Sequence, residues 1–85
     1  MNKNWFDEAW EDYLYWQIQD KKTLKRINAI LKDIERSPFE GIGKPEPLRG
    51  NFSGLWSRRI DEKNRLVYFI SNGSIQIFSC KGHYE

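Results

Sequence analysis

Apolar residues near the start of the chain recur at the three- and four-residue spacing of one helix face. Trp10, Tyr13 and Leu14 follow this period, and acidic residues lie on the other side. Acidic residues suit the first turn of a helix, where unpaired N–H groups carry partial positive charge. The pattern predicts a helix that begins at Asp7, preceded by a short strand at residues 3–6.

A second apolar stripe predicts a longer helix. Its members are Leu24, Ile27, Ile30, Leu31 and Ile34. Asp20 is a suitable N-cap, and Ser37 ends the helix because the residue before a proline avoids the helical region. The short connection around Asp20 predicts an antiparallel helix pair. We interpret both stripes as core packing. The cationic cluster near the start of the second helix is interpreted as a solvated helix face, and its members are Lys21, Lys22, Lys25 and Arg26.

The second half of the chain changes to the residue types of β-strands. Residues 56–60 and 65–70 are rich in aromatic and β-branched side chains, and the four polar residues between them favour a turn. The uninterrupted apolar run from Leu66 to Ile70 predicts a strand buried on both faces. The dipeptide Asn72-Gly73 then predicts a two-residue turn into a last strand.

The predicted turn sets a register for the last two strands. In that register Val67 faces Phe78 and Arg65 faces Cys80. Arg65 therefore lies beside the end of the last strand, which leads into the C-terminal tail. Residues far apart in the chain are predicted to meet there.

Residues 39–54 connect the helices to the strands and contain four glycines and two prolines. This density of glycine and proline predicts that no regular element forms there. Pro45 and Pro47 fix their φ angles and hold Glu46 on a stiff, extended segment. A connection this long in a small domain is often functional, and the alternative is a solvent-exposed carboxylate in a surface loop.

The chain has 85 residues, which predicts a single domain, residues 1–85. No apolar run approaches the roughly 20 residues of a membrane span, and no signal-peptide pattern is present. A single cysteine fits a reducing compartment, so we expect a soluble, cytoplasmic protein without a membrane partner. One cysteine and one histidine cannot supply a typical zinc site, and no nucleotide-binding glycine motif occurs. We therefore predict no metal and no cofactor.

The net charge of +2 is unevenly distributed. Residues 1–40 hold seven Lys or Arg and eight Asp or Glu, whereas residues 41–85 hold seven and four. The basic surplus of the strand region points to a phosphate-bearing partner. Ordinary surface charge is the alternative explanation.

The remaining candidates for chemistry are Glu46, Arg65, His83 and Tyr84. The cations expected to support them by contacting phosphate are Lys44, Arg49, Arg58, Arg59 and Lys81. A carboxylate, an imidazole and a guanidinium suffice for metal-free RNA cleavage. A base removes the proton of a 2′-hydroxyl, an acid protonates the leaving 5′-oxygen, and a cation stabilises the charge on the phosphate oxygens.

Three stretches of the sequence resemble the YoeB (Txe) toxins of the RelE superfamily. They are residues 10–16 (WEDYLYW), residues 43–48 (GKPEPL) and residues 53–68, which begin SGLWSRRI and end RLVY. The terminal His83-Tyr84 pair fits as well. The resemblance implies an α+β fold, in which a small twisted antiparallel β-sheet carries two N-terminal helices on one face, in the order β-α-α-β-β-β.

The resemblance also implies roles and partners. Glu46 matches the general base, His83 the general acid, Arg65 the arginine that stabilises the transition state, and Tyr84 a tyrosine that supports catalysis or base stacking. Members of the family cut mRNA in the ribosomal A site and are neutralised by a YefM-type antitoxin. The implied partners are thus mRNA, the ribosome and an antitoxin, and the sequence leaves monomer and homodimer open.

Two other classes of protein are compatible with the sequence. ParE-like toxins share the fold and act by protein binding without nuclease activity. A basic RNA-binding module without catalysis is the second alternative. Both predict that Glu46 and His83 are dispensable.

Overall fold

The computed structural model describes residues 1–83 and contains two helices and a five-stranded sheet. The elements are β1 (Asn2–Trp5), α1 (Asp7–Gln19), α2 (Lys21–Arg36), β2 (Glu46–Pro47), β3 (Trp56–Arg59), β4 (Arg65–Ser71) and β5 (Ser74–Ser79), with a 3₁₀ turn at Gly50–Phe52. The strand order is β1-β5-β4-β3-β2, and neighbours are antiparallel except β1 and β5. The predicted α+β class is confirmed, but the sheet is mixed because β1 runs parallel to β5. Almost the whole chain connects these two strands, so they need no tight turn.

Local signals at the ends of α2 have the predicted effect. Asp20 Oδ1 accepts the backbone N–H groups of Lys22 and Thr23 at 3.1 and 3.2 Å. At the other end, the N–H of Ser37 bonds to the carbonyl of Asp33, and the helix stops before Pro38. The side-chain cap and the following proline therefore define this helix from both ends.

The buried side of α1 differs from the predicted stripe. Ala9 and Trp16 are the buried residues of this helix, whereas Trp10 is 46% exposed. Trp10 packs at the helix margin, against the rings of Trp5 and Tyr13. The prediction was wrong for Trp10 because its ring covers an edge of the domain instead of entering the core.

The core lies between the two helices and one face of the sheet. Its buried members include Ile27, Ile30, Leu31, Ile34, Leu66, Tyr68, Ile75 and Ile77. The predicted burial of β4 on both faces is confirmed for Leu66, Val67 and Tyr68, but Phe69 and Ile70 are only half-buried. The helices thus cover one face of the sheet and leave the other for the candidate site.

A β-bulge interrupts the last hairpin. Ser71 pairs with Ser74 as predicted, but Val67 pairs with Ser79 instead of Phe78. The extra residue in β5 reverses the alternation of its side chains. Cys80 consequently joins the core, and the tail is shifted by one residue relative to β4.

Part of the connection after α2 is regular, contrary to the prediction. Glu46 and Pro47 pair with Ser57 and Trp56, so this segment forms the edge strand β2. Proline is tolerated on an edge strand because its missing N–H group removes no ladder bond there. The predicted extended conformation of Glu46 is therefore realised within a sheet.

Candidate functional site

The side of the sheet opposite α1 and α2 is called here the helix-free face. Along β3, Trp56 packs against the core and Arg58 contacts α2, so the alternate residues Ser57 and Arg59 point to the helix-free face. Directly paired residues of antiparallel strands share a face. Glu46, which pairs with Ser57, therefore lies on the helix-free face.

The same face carries Arg65, which pairs directly with Arg59. Glu46 and Arg65 are separated by two strand spacings and two residues along the strands. These offsets correspond to about 12 Å between their Cα atoms. Long side chains and a nucleotide of RNA can bridge that gap.

Arg59 and Arg65 place two positive charges opposite each other. Like charges in this position repel, unless an anion lies between them. The ion pairs within residues 1–83 use Lys3, Arg36 and Arg58, and neither arginine of this pair takes part. The arrangement is suited to a bound phosphate.

Backbone carbonyls hold one side of the Arg65 guanidinium. Its Nη1 donates to the carbonyls of Asp61, Glu62 and Asn64 at 2.7, 3.3 and 3.1 Å. The half-buried side chain is thereby anchored to the β3–β4 turn. An anchored guanidinium is a pre-organised donor, since little of its side-chain freedom remains to be lost on binding.

The C-terminal tail reaches Arg65, as predicted, although through a different residue. The N–H of Arg65 bonds to the carbonyl of Gly82 at 2.8 Å. The predicted partner, Cys80, is instead fixed by α1, where Trp16 Nε1 donates to its carbonyl and Asp12 Oδ2 accepts its N–H. The bulge in β5 causes this shift of register.

His83 directly follows Gly82 and is exposed to solvent. The tail thus brings His83 close to Arg65 along the backbone. Tyr84, the fourth predicted catalytic residue, and Glu85 lie outside the described residues.

Arg58 was predicted to contact phosphate, and the structure corrects this prediction. Its side chain is fully buried, and Nη1 lies 2.5 Å from Asp33 Oδ2 in an ion pair. The same guanidinium donates to the carbonyls of Ser37, Glu40 and Ile42. A buried charge is tolerated when it is paired and fully hydrogen-bonded, so Arg58 stabilises the fold and is inaccessible to RNA.

The buried pair also organises the loop after α2. Tyr68 receives a hydrogen bond from Arg58 and donates its own hydroxyl to the carbonyl of Pro38 at 2.6 Å. Gly41 passes so close that a Cβ there would lie 1.9 Å from Asp33 Oδ2. The loop that leads to Glu46 is therefore fastened to the core.

The other predicted phosphate ligands occupy three positions. Lys44 and Arg49 are exposed on either side of β2, and Lys44 has a positive φ of 50°. The exposed Lys81 lies with its Nζ 4.0 Å from the centre of the Tyr15 ring on α1. Lys44 and Arg49 therefore flank Glu46, whereas Lys81 contacts the helical side.

Hydrogen bonding and burial shift the pKa values of several groups, and three of these groups are buried. The hydrogen bond from Arg58, assisted by the N–H of Ile42, lowers the pKa of Asp33 to about 2. Burial raises the pKa of Tyr68, and it raises the pKa of Cys80 to about 12. Cys80 therefore remains a thiol at neutral pH and packs in the core as a small apolar residue.

Sequence reasoning missed two residues of this region. Asp33 borders the apolar stripe of α2 beside Ile34, and an acid at that position could have signalled a buried partner. Asn64 was interpreted as an ordinary turn residue, yet its side chain accepts the N–H of Gly82 at 2.9 Å. No local pattern could have revealed that contact, because 18 residues separate the two partners.

The helix-free face carries a carboxylate, Glu46, and two cations, Arg59 and Arg65, and the tail before His83 is bonded to the backbone of Arg65. Within residues 1–83, no group of three or more His, Cys, Asp or Glu side chains could hold a metal ion. Over the same range, neither helix has the length and apolar character needed to cross a membrane. The arrangement is chemically suited to proton transfer at a phosphate.

Comparisons with known proteins match nearly the whole chain and identify its family. A family model described as a YoeB-like toxin of bacterial type II toxin–antitoxin systems matches residues 5–84. Toxin YoeB of Escherichia coli O6:H1 (strain CFT073) is 58% identical over 80 residues, which cover 94% of this chain and 95% of the relative.

Solved structures give the same result. A YoeB/ParE toxin from Agrobacterium tumefaciens superimposes with a TM-score of 0.96 at 40% identity, over 99% of this chain and 100% of the other. The YoeB of a heterotetrameric YoeB–YefM complex from Staphylococcus aureus gives 0.92 at 49% identity, over 99% and 98%. The fold, the extent of the match and the identity agree: this chain belongs to the YoeB-like toxins of bacterial type II toxin–antitoxin systems.

Proposed function

We propose that this toxin is a metal-independent, ribosome-dependent endoribonuclease that cuts mRNA in the ribosomal A site. The observation that supports the proposal is that Glu46 and the Arg59–Arg65 pair share the helix-free face, while the tail that leads to His83 is bonded to the backbone of Arg65. A phosphodiester at that location would meet a proton acceptor, two cations and a proton donor.

The reaction follows from these groups. Glu46 accepts the proton of a 2′-hydroxyl, and the resulting 2′-oxygen attacks the adjacent phosphorus. Arg65 stabilises the negative charge that gathers on the non-bridging oxygens. His83 gives a proton to the 5′-oxygen as the phosphorus–oxygen bond breaks. The products are a 2′,3′-cyclic phosphate and a 5′-hydroxyl.

Supporting roles belong to the remaining exposed residues. Arg59, Lys44 and Arg49 contact phosphates on either side of the cleaved bond. Lys81 would contact phosphate only after its ammonium group leaves the Tyr15 ring on the helical side. Tyr84 supports catalysis or stacks on a base, a proposal that rests on the family resemblance alone.

The partners proposed for this chain are the ribosome, mRNA and a YefM-type antitoxin. One relative from Staphylococcus aureus was solved in complex with YefM, and another structure from that organism is a YoeB dimer. An acidic antitoxin segment on the basic helix-free face would neutralise the toxin by covering Arg59 and Arg65. We extend both forms of assembly, with the antitoxin and with a second copy, to this chain.

A single 2′-deoxy nucleotide at the cleavage position tests the mechanism. This substrate keeps the phosphate, the base and nearly all binding contacts but lacks the nucleophile. We expect it to bind programmed ribosomes and remain uncut, while the all-ribose message is cleaved and yields 5′-hydroxyl ends. A matched control carries the deoxy nucleotide one codon away and should be cleaved normally. Cleavage of the deoxy substrate, or products with 5′-phosphates, would refute the roles of Glu46 and His83.

Binding without chemistry, as in ParE-like toxins, is the competing function. It predicts that a Glu46→Gln, His83→Gln double variant still arrests growth. We expect this double variant to be harmless when expressed without antitoxin. Its folded state would be checked by its retained affinity for the antitoxin.

A further inference from the structure

The side chain of Asn64 connects the β3–β4 turn to the C-terminal tail. Its Oδ1 accepts the N–H of Gly82 at 2.9 Å, and its Nδ2 lies 3.1 and 3.2 Å from the two carboxylate oxygens of Asp61. An amide nitrogen can only donate, so the contact with Asp61 determines that the oxygen faces Gly82. The same carboxylate accepts the N–H groups of Lys63 and Asn64, both at 2.8 Å, which fixes the turn.

Gly82 is therefore hydrogen-bonded through both of its backbone polar groups. Its carbonyl accepts the N–H of Arg65, and its own N–H binds Asn64. Its φ of +89° lies in a region that other residues rarely adopt. Among residues 1–83, no atom lies within 4 Å of where a Cβ would be, so the φ angle is the reason that these residues give for glycine here. A glycine has many accessible conformations, and these two bonds select one of them.

Resting on the general-acid role proposed above for His83, we infer that Asn64 is a positioning residue for RNA cleavage. Asn64 acts through the backbone of Gly82, whose orientation sets the direction of the next residue, His83. The imidazole is thereby directed to the phosphate held by Arg65. A displacement of about 1 Å at a reacting group can cost roughly 100-fold in rate, so one hydrogen bond of the tail can control the reaction.

A purely structural role for Asn64 makes a different prediction. If the side chain only stabilises the turn, its loss lowers stability and leaves the turnover of each folded molecule unchanged. The two explanations therefore predict different values of kcat and KM for an Asn64 variant, and a different mobility of its tail.

The test compares Asn64→Ala with Asn28→Ala. The control removes the same atoms and also one hydrogen bond, which Asn28 Oδ1 accepts from Tyr13 at 2.8 Å on the helical side. Cleavage of mRNA on programmed ribosomes is measured at a temperature at which both variants are folded. We expect Asn64→Ala to lower kcat by about 10- to 100-fold with KM changed less than about twofold, and Asn28→Ala to match wild type. Equal kcat values for the two variants would overturn the inference.

Nuclear magnetic resonance of the free protein tests the tail without any reaction. The heteronuclear NOE of the backbone amides of Gly82 and His83 reports how rigid the tail is. It should fall in Asn64→Ala and stay unchanged in Asn28→Ala. A tail as rigid in Asn64→Ala as in wild type would overturn the inference, whatever the activity.

The variant Asn64→Asp supplies a rescue. It is made together with Asp61→Asn, because a carboxylate at position 64 alone would repel Asp61, to which Asn64 Nδ2 donates. The exchange keeps an acceptor oxygen for Gly82 and an amide donor facing a carboxylate, so the double variant should retain a rigid tail and most of kcat. A loss as large as that of Asn64→Ala would contradict the role of the acceptor. Normal cleavage by His83→Gln would instead refute the proposed acid, and the NOE of Gly82 would still report whether Asn64 orders the tail.

Discussion

Arg58 and Arg59 are neighbours of the same residue type with opposite environments. Arg58 is fully buried against Asp33, whereas Arg59 is exposed on the helix-free face. Strand alternation alone separates them. A count of charged residues treats both arginines as surface cations. Only the pairing of β3 shows that an anion can reach Arg59 and not Arg58.

Arg65→Ala is expected to abolish most cleavage. The loss of one well-directed charge donor typically costs about 100- to 1000-fold in rate. The measurement is single-turnover cleavage of mRNA on ribosomes, with the unfolding midpoint recorded because Nη1 also binds the β3–β4 turn. A stable Arg65→Ala protein that cleaves at the wild-type rate would contradict the role of Arg65.

Asp33 should make folding stability depend on acidic pH. Its folded pKa is about 2, below the ordinary value of 3.8, because Arg58 donates a hydrogen bond to its ionised form. A lowered pKa contributes stability that is complete above about pH 4 and is lost as the pH falls towards 2. Urea unfolding of wild type and Asp33→Asn should therefore differ most at neutral pH and converge between pH 4 and 2. A constant difference would contradict this assignment, and if Asp33→Asn does not fold, titration of the wild-type carboxyl signal measures the same pKa.

Ser79→Ala should stabilise the protein. Ser79 is fully buried, and its Oγ has no hydrogen-bond partner within residues 1–83. A buried hydroxyl without a partner costs about 1–3 kcal/mol, so its removal should raise the free energy of unfolding by about 1 kcal/mol. Urea denaturation provides the measurement. A destabilised variant would show that the hydroxyl is hydrogen-bonded in solution.

At the scale of elements, the sequence predicts those helix ends and turns that are determined by residues close together in the chain. Asp20 caps α2, Pro38 stops it, and Ser71 pairs with Ser74, because each signal acts within a few residues. The bulge opposite Val67 and the edge strand β2 were missed. Both depend on contacts between distant segments, which no short stretch of sequence specifies.

The same limit applies to the candidate site. Glu46 was predicted to be extended and Arg65 to lie beside the tail, and both expectations agree with the structure. Arg58 was misplaced among the phosphate ligands because burial depends on what packs above a strand. Asn64 was overlooked because its partner, Gly82, lies 18 residues away along the chain, and only the folded hairpin brings the two together.

Trp16→Phe tests the docking of α1 against the tail. The substitution keeps a buried ring but removes the Nε1–H that donates to the carbonyl of Cys80 at 2.8 Å. We expect the free energy of unfolding to fall by about 1–2 kcal/mol. The matched control Trp10→Phe alters a ring that is 46% exposed and should cost less than about 0.5 kcal/mol. Equal losses in thermal or urea unfolding would argue against the hydrogen bond.

At the scale of the whole molecule, the two faces of the sheet differ in what they contact. One face packs against the helices, and the other carries exposed charge. The helices supply the core, and the helix-free face displays cations from two neighbouring strands. The loop before Glu46 is bonded to Asp33 and Arg58, and the tail before His83 is bonded to Arg65 and Asn64. A site assembled this way depends on the complete fold and not on any one element.

Charge on the helix-free face should govern association with the antitoxin. Arg59→Glu is expected to lower the association rate about 10-fold or more at low salt and to weaken its salt dependence, because a surface charge acts mainly on encounter. Lys25→Glu makes the same charge change on α2 and should have little effect. Stopped-flow or surface plasmon resonance measurements at several ionic strengths give both rates. Equal effects of the two variants would place the antitoxin elsewhere.

The parallel pairing of β1 with β5 has a consequence for biosynthesis. Asn2 to Trp5 are made before the other elements, and their partners Ser74 to Ile77 belong to β5, which is made after all of them. Contacts this distant in the chain form late in folding, and β5, which lies between β1 and β4, does not exist until the other four strands have been made. A nascent chain therefore has no assembled site while it is still being made. Under the proposed function, an incomplete chain would therefore be unable to cleave the message on the ribosome that is producing it.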